Sequence, residues 1–549
     1  MAKSNGNGSR DGRSYDAVIV GAGFAGLYTL HKLRQLGFTA HVIDAAAGVG
    51  GTWYWNRYPG ARCDVESLAY SFSFSDELEQ QWTWSEKYSP QPEILAYANH
   101  VADRFDLRKD IEFETRVDKA VWNDDTCRWS ITTSKGETIS AQHYVMASGC
   151  LSHSKLPEIQ GVDSFQGPTY HTGHWPHEGV DFTGMRVGVI GTGSSAIQSI
   201  PEIAKQAAQL TVFQRTPNFS MPAGNRKLTA EEVAAMKARY PDYREENRRS
   251  GFGVSVPEPT KSALEATAEE RDEVFERGWQ AGNLVGLLLS FNDIIINKES
   301  NDHVAEFIRN KIRSVVNDPQ TAEDLCPFDH PVGTKRPCLD TNYYQTYNED
   351  HVTLVNLRRT PIEEITPTGI RTSDQSYEFD AIVFATGFDA MTGALVAVDI
   401  EGRDGLTLKT KWADGTRSYL GLMMAGFPNL YTITGPASPS VFSNMMISIE
   451  QHVDWITNCV THLRDTGKAS IEASVEAEEF WVAHNLEAGD ATLYPLANSW
   501  YMGSNVPGKP RVLMPYIGGV GVYREECDDI VADNYRCFVM RDARAPANA

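Results

Sequence analysis

The sequence predicts an α/β protein built on two βαβ units, and three observations predict it. Near the N-terminus an apolar run, a glycine-rich turn and a helical pattern follow one another across 15–37, and the same succession returns at 186–207. Two further apolar runs, QHYVMASG at 142–149 and DAIVFATG at 380–387, each close on small residues, as strands of a helix-covered parallel sheet do. Length agrees, since 549 residues exceed what one hydrophobic core organises and imply two or three domains.

In the first unit the run 15–20 leads into Gly21, Gly23 and Gly26, then the helical pattern LYTLHKLRQLG, then a strand at 40–43 that stops at Asp44. Gly21 allows the tight turn, Gly23 lets the backbone approach a pyrophosphate, and Gly26 permits close helix packing, while the helix N-terminus offers partial positive charge. The Asp44 carboxylate, at strand end, suits the ribose diol of FAD or NAD and would repel the 2′-phosphate of NADP.

In the second unit the strand 186–190 meets Gly191, Gly193 and Ala196, a helix is expected through Ala207, and the strand LTVFQR ends at Arg215. An arginine followed by Thr216 replaces the acidic residue here, so this fold is expected to prefer NADPH, with Lys335 as a second cation for the 2′-phosphate. The fold class is therefore α/β with two dinucleotide-binding, Rossmann-like domains. Expected boundaries are a disordered lead-in at 1–14, the first domain at 15–150, the second at 151–390 with a helical insertion at about 222–335, and a return to the first domain at 391–549. Within the insertion EEVAAMKARY, DEVFERGWQ and HVAEFIRNKIR read as helices, and after it SNMMISIEQHVDWITNCVTHL does.

Composition narrows the functions. A net charge of −22 argues against nucleic acid or anionic lipid as a partner, so any phosphate site must be local. The run 284–289 is too short to span a bilayer, and no apolar signal segment precedes the first strand. Eight scattered cysteines without a CxxC pair exclude a disulfide scaffold, a zinc site and a thiol redox centre, and fit a cytoplasmic protein. No metal is expected. With FAD and NADPH on separate folds, a disulfide reductase would need a redox cysteine pair. The pair is missing, so molecular oxygen is the expected acceptor of the flavin's electrons.

Two longer motifs carry a resemblance. Phe165, Gly167, His171, Trp175 and Pro176 in SFQGPTYHTGHWP, just before the second glycine turn, are similar to the FxGxxxHxxxWP fingerprint of type I Baeyer–Villiger monooxygenases. Gly50, Gly51, Trp53, Tyr58, Pro59, Gly60 and Asp64 resemble the flavin-side motif of the same family, and FATGF at 384–388 is shared with related flavin monooxygenases. The resemblance runs from about residue 15 to 539. It implies that NADPH reduces FAD, that dioxygen adds to the reduced flavin, and that the deprotonated adduct attacks a ketone to give an ester or lactone.

By the same resemblance Arg336 in GTKRP matches the family's essential arginine, whose fixed charge stabilises the reacting anion, and Asp64 matches its carboxylate partner. Trp53 and Tyr70 are expected beside the flavin and Trp500 beside the nicotinamide nucleotide. Phe24, Thr52, Arg62, Val117, Met445, Thr192, Ser194 and Ser195 complete the expected cofactor-binding set. His171 and Trp175 are read as a linker that couples domain motion. The ketone pocket is expected at Pro439, Ser440, Val441, Phe442 and Met445, whose apolar, flexible side chains suit a bulky hydrophobic ketone. The resemblance favours a steroid ketone such as progesterone, giving testosterone acetate, over an aryl ketone. Rival readings are a flavin monooxygenase that oxidises nitrogen or sulfur, and a noncatalytic NADPH sensor. Partners are then a small hydrophobic ketone and dioxygen, on a monomer or weak oligomer.

Overall fold

A computed structural model describes residues 12–543. Strand β1 (Arg13–Val20) begins inside the expected lead-in, because its first residues already pair with the neighbouring strand, Arg13 opposite Ile139. Residues 1–11 of that lead-in lie outside the described residues.

The larger sheet is built around β1. Its parallel neighbours are β2 (Ala40–Ile43) on one side and β6 (Thr138–Met146) on the other, with β3 (Ile111–Glu112) beyond β2. Strands β4 (Val117–Asn123) and β5 (Arg128–Thr133) extend it antiparallel beyond β6. The smaller sheet is wholly parallel, in the order β12 (Val352–Asn356), β9 (Gln209–Gln214), β8 (Arg186–Ile190), β16 (Ala381–Phe384), β7 (Thr169–His171). In each sheet the strand before the glycine turn has parallel neighbours whose connections leave in opposite directions. A crevice therefore opens at its carboxyl end.

The chain crosses between the sheets twice. After β16 it returns to the larger one, adding β17 (Asp399–Glu401) beside β4 and β18 (Leu430–Thr432) beside β6. It then forms the helix Met445–Thr466, capped by the Asn444 side chain and ended by left-handed Gly467. That helix lies on Phe24–Gln35, so Leu27, Leu30, Leu33, Val453, Ile456 and Val460 share one core. Burial on two sides agrees with Phe24–Gln35 being buried along most of its length, from Phe24 to His31 and again at Leu33.

Between β10 (Ser220–Pro222) and β11 (Cys338–Asp340) stands a helical insertion. Its helices include Ala230–Ala238, Ala268–Ala281 and Lys298–Val315, each opened by a side-chain cap from Thr229, Thr267 or Asn297. The helix Tyr240–Arg249, unexpected from an apolar pattern, is fixed instead by a buried ion pair, Arg244 to Glu79 at 2.8 Å. The helix after the second turn ends at Ala204, short of the expected Ala207.

Candidate active site

The carboxyl ends of β1 and β8 face one cleft of about 1860 Å³. That is above the roughly 300–1,000 Å³ of an ordinary small-molecule pocket and suits two extended nucleotides. The two turns are built alike. Gly21 and Gly191 take φ of 108° and 110°, and a Cβ on either would stand 2.5 or 2.4 Å from the carbonyl oxygen of Ala147 or Ala385. At Gly193 a Cβ would meet nothing, so the space above that turn is left for a ligand. The helices that follow, Phe24–Gln35 and Ser194–Ala204, have glycine N-caps without side-chain hydrogen bonds, which leaves their first-turn amides for phosphate oxygens.

Most residues expected around cofactors line this cleft. From the first fold these are Gly21, Gly23, Phe24, Asp44, Thr52 and Trp53, then Arg62, Asp64, Tyr70, Val117 and Met445. From the second they are Gly191, Thr192, Gly193, Ser194, Ser195, Arg215 and Thr216, joined by Arg336 and Trp500. Gly26 and Ala196 do not reach it. Each lies beneath its turn, and a Cβ on Gly26 would be 1.8 Å from the Gly21 carbonyl oxygen. Asp44 is engaged by its own backbone, accepting from the amides of Ala22 and Ala46, while burial raises its pKa against those bonds. Lys335 stands behind the wall. Burial lowers its ammonium pKa, with Asp329 opposing and Arg215 and Arg358 adding to the fall, so three cations share the neighbourhood of the second strand end. Asp329 bonds Arg358 at 2.5 Å.

Arg336 comes from the second fold and meets Asp64 of the first. Its Nε and Nη2 donate to the two carboxylate oxygens at 2.7 and 2.9 Å, and Nη1 donates to the Val441 carbonyl at 2.8 Å. Both side chains are 24% exposed. Burial disfavours the charge on Arg336, but the field and hydrogen bonds of Asp64, helped by Tyr501, outweigh it and hold the guanidinium pKa well above its ordinary value. Burial pushes the Tyr501 phenol up to about 12 although Arg336 pulls it down. This fork leaves the guanidinium little freedom to turn.

A second cavity of about 140 Å³ lies across that pair, and Asp64, Val65, Arg336, Val441 and Ser443 line both spaces. Of the residues expected around a ketone, Val441 and Phe442 line it, and Met445 lines the larger cleft instead. Pro439 and Ser440 line neither. Ser440 sits at φ 33° with no exposed surface, its hydroxyl facing the Thr434 carbonyl at 3.4 Å, inside the turn rather than the cavity. Sequence reasoning missed the opposite wall, Phe252, Val254, Leu284, Val285 and Leu288 from the insertion, and Tyr494 and Tyr501 from the C-terminal part. The apolar run 284–289 was the available signal. Trp500 and Tyr501 are adjacent on the turn Trp500–Met502, yet the first lines the cleft and the second the smaller cavity.

His171 and Trp175 stand away from this pair. His171 Nδ1 accepts from the Gly173 amide at 2.9 Å, and Trp175 is buried against Tyr170 and Phe182. Among the described residues no cluster of His, Cys, Asp or Glu is arranged to hold a metal, and no helix is long and apolar enough to cross a membrane.

Comparison with known proteins gives a consistent set of relatives. The family model described as pyridine nucleotide-disulphide oxidoreductase matches residues 18–233. A Baeyer-Villiger monooxygenase of Pseudooceanicola batsensis is 43% identical over 537 residues, 97% of each chain. An acetone monooxygenase (methyl acetate-forming) of Gordonia sp. (strain TY-5) is 43% identical over 96% of this chain and 99% of its own. The solved structure of an oxidized steroid monooxygenase bound to NADP is 52% identical, covers 96% of this chain and all of its own, and superposes with a TM-score of 0.92.

Proposed function

Because the chain belongs to the Baeyer–Villiger monooxygenases, sharing 43% identity with one of them over 97% of its length, we propose that it uses FAD, NADPH and dioxygen to convert a hydrophobic ketone into an ester or lactone. The observation that carries this reading is the Arg336 guanidinium, charged, forked onto Asp64 and set in the wall between a dinucleotide cleft and a small apolar cavity. FAD, which Gly21, Gly23, Asp44 and Trp53 would hold, would supply hydride acceptance from NADPH and activation of dioxygen toward the ketone.

The chain's own residues then have separable tasks. The glycine turns at Gly21 and Gly191 and their helix amides hold the two pyrophosphates, and Arg215 and Thr216 receive the 2′-phosphate, while Lys335, behind the cleft wall, adds positive field to that end without lining it. Arg336 presents fixed positive charge where negative charge gathers on the ketone oxygen, and Asp64 and the Val441 carbonyl keep it aimed there. Phe442, Tyr494 and Tyr501 give the cavity aromatic walls that favour an apolar ketone over water. Eight cysteines scattered along the chain with no CxxC pair suit a reducing cytoplasm.

A steroid ketone such as progesterone is the first substrate to test, on the strength of the 52% identity to a steroid monooxygenase structure. The cavity of about 140 Å³ favours a second reading, a smaller aryl ketone, because a steroid must first push the insertion wall outward. NADPH consumption and product mass with progesterone, phenylacetone and cyclohexanone decide between them. Ester from the steroid alone supports the first reading and ester from phenylacetone alone the second. Oxidation of an added sulfide or amine with no ester from any ketone refutes both.

A further inference from the structure

We propose that Asn218 is a positioning residue for Arg336, through which the nucleotide-binding edge of the second fold sets where the guanidinium stands. The Asn218 side-chain amide donates to the Arg336 carbonyl at 2.9 Å and reaches the Cys338 sulfur at 3.3 Å. The Cys338 thiol in turn faces that carbonyl at 3.7 Å and the Ser194 hydroxyl at 3.1 Å. Ser194 opens the helix after the second glycine turn and lines the cleft.

Local sequence shows why such a tie is needed. Arg336 precedes Pro337, which confines Arg336 to extended backbone and supplies no N–H of its own. The ladder between β10 and β11 begins only at Cys338, paired with Ser220. The segment carrying Arg336 therefore depends on its carbonyl for anchorage on this side, and Asn218 supplies the donor. Asn218 lies three residues beyond Arg215, on a segment fastened to the glycine turn by the Thr192 hydroxyl bonding the Thr216 carbonyl at 3.0 Å. One short path thus joins the candidate 2′-phosphate residues, the glycine turn and the backbone of Arg336. Burial pushes the Cys338 thiol up to about 12, so it stays protonated and neutral beside these partners.

The inference rests on the role given to Arg336 under the proposed function, and the test separates the two. In the holoenzyme, Asn218→Ala and the near-isosteric Asn218→Asp, neither of which carries the amide donor, are compared with Arg336→Ala. Three quantities are read: ester formed per NADPH consumed, NADP⁺ affinity, and hydrogen exchange of the peptide spanning 334–342. Loss of one hydrogen bond should raise exchange in that peptide roughly three- to tenfold and lower ester per NADPH by a similar factor. NADP⁺ affinity and melting temperature should stay at wild-type values. Unchanged coupling and exchange in both Asn218 variants, or a fall in coupling matched by equal losses of NADP⁺ affinity and melting temperature, overturns the inference. Ester formation by Arg336→Ala overturns the functional reading instead, whatever Asn218 does.

Discussion

Replacing Arg336 by lysine separates charge from geometry at this site. The arginine makes three directed bonds at 2.7, 2.9 and 2.8 Å, two to Asp64 and one to the Val441 carbonyl. A lysine keeps the charge on a single nitrogen at the end of a flexible stem, and one ammonium cannot span both Asp64 oxygens and a carbonyl on another segment. Removing a preorganised donor from an anion-stabilising site costs about 2.7–4 kcal/mol, a factor of roughly 10²–10³ in rate. Arg336→Lys should therefore lose two to three orders of magnitude in ester formation. Its flavin should still be reduced by NADPH within about tenfold of the wild-type rate, since one factor of ten is about 1.4 kcal/mol. Stopped-flow absorbance reads flavin reduction, and product mass with a peroxide assay reads the fate of the oxygen. Wild-type ester yield from the lysine variant would show that charge alone suffices and that the fork onto Asp64 is incidental.

Arg215→Ala should raise the KM for NADPH by roughly 10- to 100-fold, the worth of one charge-assisted contact, and leave the KM for NADH nearly unchanged; equal effects on both cofactors would remove Arg215 from the 2′-phosphate site. Leu288→Ala enlarges the small cavity from the insertion side and should raise the ratio of progesterone to phenylacetone kcat/KM by about tenfold, and an unchanged ratio would mean that the wall does not contact substrate. Asp340 is buried and its pKa is pushed from 3.8 up to about 6, although the Ser220 hydroxyl and the Tyr343 amide oppose that rise. Its carboxyl binds a proton more tightly folded than unfolded. Its favourable contribution is thus complete below about pH 4 and lost as pH climbs through about 6, worth on the order of 3 kcal/mol. Asp340→Asn should flatten the stability profile between pH 4 and 7 in denaturant titrations, and a wild-type slope in the variant would contradict the assignment.

Features governed by local stereochemistry were legible in the sequence. Gly21 and Gly191 are required by positive φ and by a neighbouring carbonyl, which is why the glycine spacing located both turns to the residue. Asp44 and Arg215 were placed at strand ends by counting, and both line the cleft. The bonds that hold Asp44 were not legible, because its partners are the amides of Ala22 and Ala46, which any sequence provides. The same holds for Ser440, whose composition suggests a pocket lining but whose positive φ turns it into the core. The helix Tyr240–Arg249 has no apolar stripe to announce it, since it is anchored by the buried Arg244 to Glu79 pair across 165 positions.

The cavity beside Arg336 was the least legible feature, and its construction explains why. Its walls come from five separated stretches, at 64–69, 252–256, 283–288, 333–337 and 441–444, joined by Tyr88, Tyr243, Tyr494 and Tyr501. No spacing rule links these stretches, because they meet only once two folds and an insertion have packed together. The residues that read most clearly from sequence, the glycines and strand-end charges, belong to cofactor sites that one βαβ unit builds alone. The residues that line the small cavity depend on how the insertion leans against the first fold. Exchanging only the insertion wall with that of a relative should therefore move substrate preference while leaving both nucleotide affinities in place. A swap that altered NADPH affinity as strongly as ketone choice would show that the two spaces on either side of Arg336 are not independent.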